Sequence, residues 1–277
     1  MALSAVNAKG GAKGGIVARI VSALILAPVA IGVTIVGGWA FAAFVVLFAW
    51  LMTYEWDRLT GGSGISVVAA IQVAAVTSAI IANQLAAADI AAIIIAAGAG
   101  LVWSWALVKK QRPFWSVLGV VYVGVPSAAL VLLRGDAEIG LSVVIWIFAV
   151  VWGTDIAAYA AGRGIGGPKL SRFSPKKTWA GLMGGVLMAA VIGAAVANAL
   201  GLGSVFAFAT FGAACALISQ AGDLFESWVK RRFDVKDSGR LIPGHGGVLD
   251  RVDGLLPVVV AVALAAGLPL GSNFVWR

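Results

Sequence analysis

Residues 114–133, FWSVLGVVYVGVPSAALVLL, are twenty consecutive residues without a charged side chain. A helix needs about 20 mostly apolar residues to cross the ~30 Å hydrocarbon core of a bilayer. Arg112 precedes this stretch and Arg134 follows it directly, so basic side chains flank both ends. The stretch therefore predicts a membrane-spanning helix.

Similar apolar stretches recur along the whole chain, which has 277 residues and is 61% hydrophobic but 12% charged. Soluble domains carry roughly 25% charged residues. We therefore predict an all-α, polytopic integral membrane protein with nine transmembrane helices, or eight if the short second span is discounted. The predicted spans are 17–37, 39–54, 66–84, 88–107, 114–133, 141–161, 179–200, 204–222 and 254–272.

The distribution of Lys and Arg predicts the orientation of these spans. With nine spans and a cytoplasmic N-terminus, eighteen of the twenty basic residues fall on the cytoplasmic side, and Arg134 and Arg277 fall on the other. Such an excess is typical of cytoplasmic loops. It also accounts for the net charge of +8 as a topology signal next to anionic lipids, so we expect membrane lipids and no nucleic acid as partners. The general character of the chain favours the bacterial inner (plasma) membrane.

Residues 223–253 hold six of the twelve acidic residues and the single histidine, His245. Charge beside a bilayer is costly and usually marks function. We therefore divide the chain into N-terminal transmembrane helices, 1–140, and a C-terminal catalytic region, 141–277, which carries the polar loops 162–178 and 223–253. The active site is expected in these loops, at the cytoplasmic face.

Carboxylates at the two ends of the second loop, Asp223 and Asp250, are the candidate metal ligands. Mg²⁺ usually takes one or two protein carboxylates and completes its coordination with water and phosphate oxygens. The alternative is that these acids, and Asp253 with them, only pair with neighbouring Lys and Arg. Asp155, inside the sixth span, either reaches the same site from the membrane or pairs with a lysine of another helix.

Basic, hydroxyl and glycine residues of both loops are candidates for binding phosphate. On a helix continuing past Asp223, Ser227, Lys230 and Arg231 fall on roughly one face, and the turn 244–247 offers backbone N–H groups to an anion. As the alternative, the basic residues are topology signals. The candidate catalytic residues are Asp223, Asp250 and Lys236, and the candidate substrate-binding residues are Lys176, Lys177, Ser227, Lys230, Arg231, Gly244, His245, Gly246, Gly247 and Arg251.

A resemblance to a known family rests on these same loops. The motifs are Ser227-Trp-Val-Lys-Arg231, Lys236-Asp-Ser-Gly239 and Pro243-Gly-His-Gly-Gly-Val-Leu-Asp-Arg-Val-Asp253. With their spacing they closely resemble the signature of the phosphatidate cytidylyltransferases, also called CDP-diacylglycerol synthases. Ser174-Pro-Lys-Lys-Thr-Trp179 is similar to the family's second segment, whereas Ala180 departs from it, since many members carry an acid there.

The resemblance implies a reaction, a cofactor and an oligomeric state. CTP and phosphatidate would give CDP-diacylglycerol and pyrophosphate, with one Mg²⁺ or two held by Asp223 and Asp250, in a homodimer. The residues suit this chemistry, because a phosphate monoester is already largely anionic at neutral pH and needs no strong base to attack CTP. Lys230, Arg231 and Lys236 are expected to neutralise the triphosphate.

Two other functions are compatible with parts of the sequence. A CTP-dependent lipid-alcohol kinase would need the same metal and triphosphate site, but it would release CDP in place of pyrophosphate. An ion-coupled transporter would explain Asp155 and the many spans. Transporters, however, place their charges near the bilayer midplane between repeated halves, whereas this chain shows no repeat.

Overall fold

A computed structural model describes residues 24–239, 241 and 246–267 of the chain. Across these residues the regular structure is helical and contains no strand, and an isolated antiparallel bridge joins Lys169 to Thr178. The all-α prediction is therefore confirmed. The first residues of the first predicted span and the last residues of the ninth lie outside the described residues, as do Gly244 and His245.

Most of the described helices follow one another with short connections, and the two long connections are the polar loops before α7 and before α9. They are α1 (Leu24–Val36), α2 (Gly38–Leu59), α3 (Val67–Gln84), α4 (Ala88–Val108), α5 (Pro113–Gly135), α6 (Gly140–Gly164), α7 (Trp179–Leu200), α8 (Val205–Arg232), α9 (Leu249–Val252) and α10 (Leu255–Gly267).

Seven of the described helices, α2 to α8, are long and apolar enough to cross a membrane, and α1 and α10 are shorter apolar helices. The chain is thus a polytopic membrane protein, and its apolar helices follow the nine predicted spans in order. Several boundaries differ from the predicted ones. The second span was predicted to be short, 39–54, but α2 runs from Gly38 to Leu59 and so includes Glu55 and Asp57. The eighth span was predicted to end at residue 222, but α8 continues to Arg232. Asp250, predicted at the end of the second polar loop, lies there on the separate one-turn helix α9.

The helices pack as two groups that meet along α5 and α10. Helices α2, α3, α4 and α5 contact one another in the first group, and α6, α7 and α8 do so in the second. Helix α10 lies against α5, α8 and α6. Because α10 follows directly on the second polar loop, this position brings that loop to the boundary between the two groups.

Polar side chains inside the first group hydrogen bond across helices. Gln72 of α3 donates to the carbonyl of Ser116 at 2.7 Å, and Asn83 donates to the carbonyl of Ala128 at 2.8 Å. Trp56 of α2 donates its indole N–H to the carbonyl of Trp115 at 2.9 Å. Such bonds contribute to helix association in a bilayer, where apolar contact with a helix is no better than contact with lipid.

Glycines allow the helices of the second group to approach closely. A Cβ on Gly212 of α8 would lie 2.6 Å from the carbonyl oxygen of Ala189 on α7, and a Cβ on Gly193 would lie 2.7 Å from that of Phe208. Small residues at helix interfaces permit this backbone contact in membranes. The α7–α8 contact holds Asp223, farther along α8, next to the loop that precedes α7.

We predict that Gly212→Ala lowers the thermal stability of the protein in detergent. The added methyl group has to push α7 and α8 apart, and overpacking of this kind costs about 1–3 kcal/mol. Gly100→Ala on α4 is the matched control, since a Cβ there meets no atom within 4 Å. Equal melting temperatures for the two variants would contradict this account of the α7–α8 contact.

Candidate active site

One face of α8 carries the polar side chains that begin the site. Ser227 donates its hydroxyl to Asp223 at 3.3 Å, and Lys230 lies 3.5 Å from Glu226 Oε1. These residues are four apart, the spacing that aligns side chains along a helix. The expectation that Ser227 and Lys230 share a helix face with Asp223 is therefore confirmed, because α8 runs unbroken to Arg232.

The loop before α7 joins this face through one ion pair. Lys177 Nζ lies 2.6 Å from Asp223 Oδ2. The next residue, Thr178, caps α7 by accepting the N–H of Gly181 at 3.1 Å. Its bridge to Lys169 closes the loop on itself. The capping and the bridge fix the backbone next to Lys177, so its ammonium group is held at Asp223.

Asp250 is the centre of the second half of the site. Its Oδ1 accepts from Lys230 Nζ at 2.5 Å, and its Oδ2 accepts the N–H groups of Gly247 at 2.9 Å and Ser238 at 3.0 Å. Burial alone would raise the pKa of Asp250, but the hydrogen bond and charge of Lys230 together with the two N–H groups outweigh it and lower this pKa. Asp250 is therefore ionised at neutral pH.

Glu55 of α2 was not among the sequence-based candidates, although it anchors the same loop. Its carboxylate is 1% exposed. It accepts the N–H groups of Val248 and Leu249, each at 2.9 Å, and the hydroxyl of Ser238 at 3.2 Å. A Cβ on Gly239 or on Gly247 would collide with this carboxylate. These two glycines are thus required for the approach of Glu55, a reason that sequence inspection did not supply.

Two further carboxylates lie around Asp223. Asp155 of α6 accepts from the amide of Gln220 at 3.4 Å, and the charges of Asp223, Lys177 and Arg251 act on it. Asp155 thus lies on the membrane side of the site, which is the first of the two alternatives expected for it. For Asp253, burial first and then the nearby charge of Asp223 raise the pKa to about 7.

The cluster carries more negative than positive groups. Glu226 is fully buried, and its carboxyl group lies against that of Asp253. Among the described residues, six carboxylates stand against three cations: Glu55, Asp155, Asp223, Glu226, Asp250 and Asp253 against Lys177, Lys230 and Arg251. The pKa of Asp253, raised to about 7, indicates that protonation relieves part of this repulsion. Carboxylate oxygens are also the ligands that Mg²⁺ takes in proteins, so the donor set fits such a cation.

The number of protein ligands for such a cation is limited. Across the residues that the structure describes, no three Asp, Glu, His or Cys side chains form a metal-binding group. Mg²⁺ tolerates this, because it commonly takes one or two carboxylates and several water or phosphate oxygens. Asp223 and Asp250 each bond to a lysine here, which is the ion pairing expected as the alternative to metal binding. A lysine ammonium therefore occupies the place next to each carboxylate that a metal cation would take.

The other predicted site residues are placed less centrally. Lys176 and Lys236 are exposed and pair with no other described residue, and Arg231 donates to the carbonyl of Val235 at 3.1 Å. Gly246 has a positive φ of 85° in the turn, where glycine is favoured. The N–H of Gly247 is already bonded to Asp250 and is not available to a phosphate while that bond lasts.

Sequence comparison assigns the chain to a family. A sequence model of the cytidylyltransferase family matches residues 17–268. The chain belongs to this family. It is 42% identical over 250 residues to a phosphatidate cytidylyltransferase of Brucella suis, with 89% of this chain and 90% of the relative covered. The protein of the same name from Rickettsia bellii is 32% identical over 187 residues, with 64% of this chain and 80% of the relative covered. The one from Helicobacter pylori is 38% identical over 148 residues, with 53% of this chain and 55% of the relative covered.

We predict that Glu55→Gln lowers turnover by at least about tenfold, because the loop that holds Asp250 loses part of its anchor. Leaving a buried N–H without its acceptor costs about 1–3 kcal/mol. The control is Asp57→Asn on the same helix. Asp57 is also buried, but it bonds to Gly64 and Ser66, away from the loop.

Melting temperature and turnover are measured for both variants in detergent. Asp57→Asn should keep its turnover even where its melting temperature falls as far as that of Glu55→Gln. Equal losses of turnover in the two variants would show that Glu55 contributes only to general stability.

Proposed function

We propose that the protein is a phosphatidate cytidylyltransferase, which converts CTP and phosphatidate into CDP-diacylglycerol and pyrophosphate in phospholipid biosynthesis. The observation that carries this proposal is the charged cluster in which Lys177 pairs with Asp223 and Lys230 pairs with Asp250. It lies at the ends of membrane helices in a chain similar over most of its length to proteins of that name. A lipid phosphate and a nucleotide triphosphate both require a charged site at the ends of membrane helices.

The reaction needs charge compensation more than it needs a base. The phosphate of phosphatidate is mostly ionised at neutral pH, so its oxygen can attack the α-phosphorus of CTP directly. The bond between the α-phosphorus and the bridging oxygen breaks, and pyrophosphate leaves. The barrier lies in bringing two anions together and in stabilising the departing charge, which metal ions and lysines lower.

Lys177 and Lys230 are suited to moving from carboxylates to phosphates. Each ammonium group forms an ion pair with an aspartate in the described structure. Incoming phosphates offer these lysines a stronger negative partner, and Arg251, Arg231, Lys236 and Lys176 add positive charge around the same loops. Because the lysines leave their aspartates as substrate enters, the two carboxylates become available at that moment.

Asp223 and Asp250 are the proposed ligands of Mg²⁺, one ion or two, with the neighbouring carboxylates adding to the negative field. When bound, Mg²⁺ would offset the negative charge that develops on the leaving group. The protein's own part is to hold Asp250 in place through the N–H groups of Ser238 and Gly247, and to hold those N–H groups through Glu55.

The location and assembly of the protein are part of the proposal. We place the cluster at the cytoplasmic face of a bacterial inner membrane with the N-terminus in the cytoplasm, as the excess of Lys and Arg in the loops on one side favours. CTP and Mg²⁺ are available on that side. A homodimer is proposed on the family resemblance.

Product analysis with purified protein tests the reaction. We expect pyrophosphate release that requires CTP, phosphatidate and Mg²⁺ together, with CDP-diacylglycerol in the lipid extract. Release of CDP with a lipid alcohol as acceptor would identify a kinase. Uptake of a labelled solute into proteoliposomes without CTP, in a protein that turns over no nucleotide, would identify a transporter.

We predict that Asp223→Asn and Asp250→Asn each lower turnover at least about 100-fold, which is ~2.7 kcal/mol of barrier. Asp89→Asn is the control, since Asp89 is an exposed acid in the first turn of α4, away from the cluster. Loss of a metal ligand also weakens Mg²⁺ binding. The Mg²⁺ concentration for half-maximal turnover should therefore rise in both site variants and stay unchanged in Asp89→Asn. Near-normal turnover of either site variant in folded protein would exclude the metal assignment.

A further inference from the structure

An apolar groove of about 570 Å³ begins at the charged cluster and extends away from it between α1, α2, α5, α6 and α10. Of the described side chains that line it, Ser127, Asp155 and Arg251 are polar and the others are apolar. Aromatic rings of α2 and α6, among them Phe41, Phe48 and Trp152, form much of its walls. We propose that this groove binds one acyl chain of the lipid substrate, an inference that rests on the function proposed above.

The groove has a polar end and an apolar end. Asp155, on α6, and Arg251, on α9, mark the polar end, and both are exposed. Arg251 follows Asp250 directly in the chain. Met52, which also lines the groove, is one helical turn from Glu55, the residue that anchors the loop. The polar end is therefore continuous with the proposed catalytic cluster.

The apolar end lies near the opposite ends of the helices. Leu130 and Ala30 line the groove about one turn from Arg134 and Thr34, which meet where Arg134 donates to the carbonyl of Thr34 at 2.7 Å. Along α2 the lining runs from Met52 to Phe41, which is about 16 Å at a rise of 1.5 Å per residue. One leaflet is about half of the ~30 Å hydrocarbon core. The groove thus has the length of a single leaflet.

Charge and continuity select the lipid substrate as the occupant. A phosphate monoester on a glycerol backbone would place its anionic oxygens at Arg251 and the cluster while its chain extends along Phe48 and Phe41. The apolar walls exclude a nucleotide or a hydrated ion from the groove. The phosphate oxygen that attacks CTP would then be brought to the cluster by the position of the acyl chain.

Filling the apolar end tests the proposal by chain length. We expect Ala30→Phe to lower kcat/KM for dioleoyl phosphatidate about tenfold, which corresponds to ~1.4 kcal/mol. With dihexanoyl phosphatidate, whose chains are too short to reach Ala30, the change should stay within about twofold. Ala43→Phe on α2 is the matched control, because Ala43 is exposed and does not line the groove, and it should leave both values unchanged.

A labelling experiment gives a second readout that does not need turnover. Phosphatidate with a photoreactive diazirine near the end of one acyl chain is irradiated with the full-length protein in nanodiscs. We expect labelled peptides from α1, α2 and α10 around Ala30, Phe41 and Val259. Ala30→Phe should lower this labelling and Ala43→Phe should not.

Several results would overturn the assignment of the groove. Equal losses with the long and the short lipid in Ala30→Phe would mean that the substitution disturbs the fold. Labels spread evenly over exposed apolar helices, or cross-links to a second copy of the chain at Ala30, would mean that bulk lipid or a partner protomer covers the groove. If the wild-type protein is labelled in the groove but forms no CDP-lipid, the groove still binds the acyl chain and the proposed function is refuted.

Discussion

The carboxylate of Glu55 connects the two halves of the molecule. It comes from α2, in the N-terminal group of helices, and its partners are backbone N–H groups and a hydroxyl of the loop between α8 and α10. A carboxylate so deeply buried is stable only when its oxygens accept hydrogen bonds. The loop supplies these bonds, and in return its backbone is fixed at Ser238 and at Val248. Those two points flank the N–H groups that hold Asp250, so the position of the proposed metal ligand depends on Glu55.

Ion pairing explains how a cluster of like charges persists beside a bilayer. Lys177, from the loop before α7, and Lys230, from α8, pair with Asp223 and Asp250 in the described structure. Removing one partner of a buried pair leaves an uncompensated charge. In the proposed reaction, substrate phosphates and Mg²⁺ would replace these partners together, so that no charge is left alone. The groups that form the two ion pairs are thus the groups proposed to bind the ligands.

Much of the fold follows from composition and local pattern, whereas the contacts that assemble the site do not. The apolar stretches give the helices and their order, and the four-residue spacing from Asp223 to Ser227 predicts their shared face once the helix is known to continue. The family signature points to Asp250 and Lys230. Glu55 could not be found this way, since it lies 183 residues from Ser238 in the chain and an acid near a helix end is usually a surface residue. The one signal was that Glu55 and Asp57 directly follow an apolar stretch, the predicted span 39–54.

The position of Lys236 is the opposite case, a residue that the sequence predicts in the site and that the structure places outside the charged cluster. Its sequence context, two residues before Ser238 in the signature, made it a candidate for catalysis, yet in the structure it is exposed and has no described partner. Spacing along a loop does not determine which side chains turn inward, because the backbone direction there depends on hydrogen bonds to distant residues. In this loop the N–H of Ser238 points to Asp250 and its hydroxyl to Glu55, so the chain on either side is directed by two carboxylates from separate helices. A lysine just outside this anchored point is free to reach a phosphate that arrives from the aqueous side, while Lys230, inside it, is held at the carboxylates.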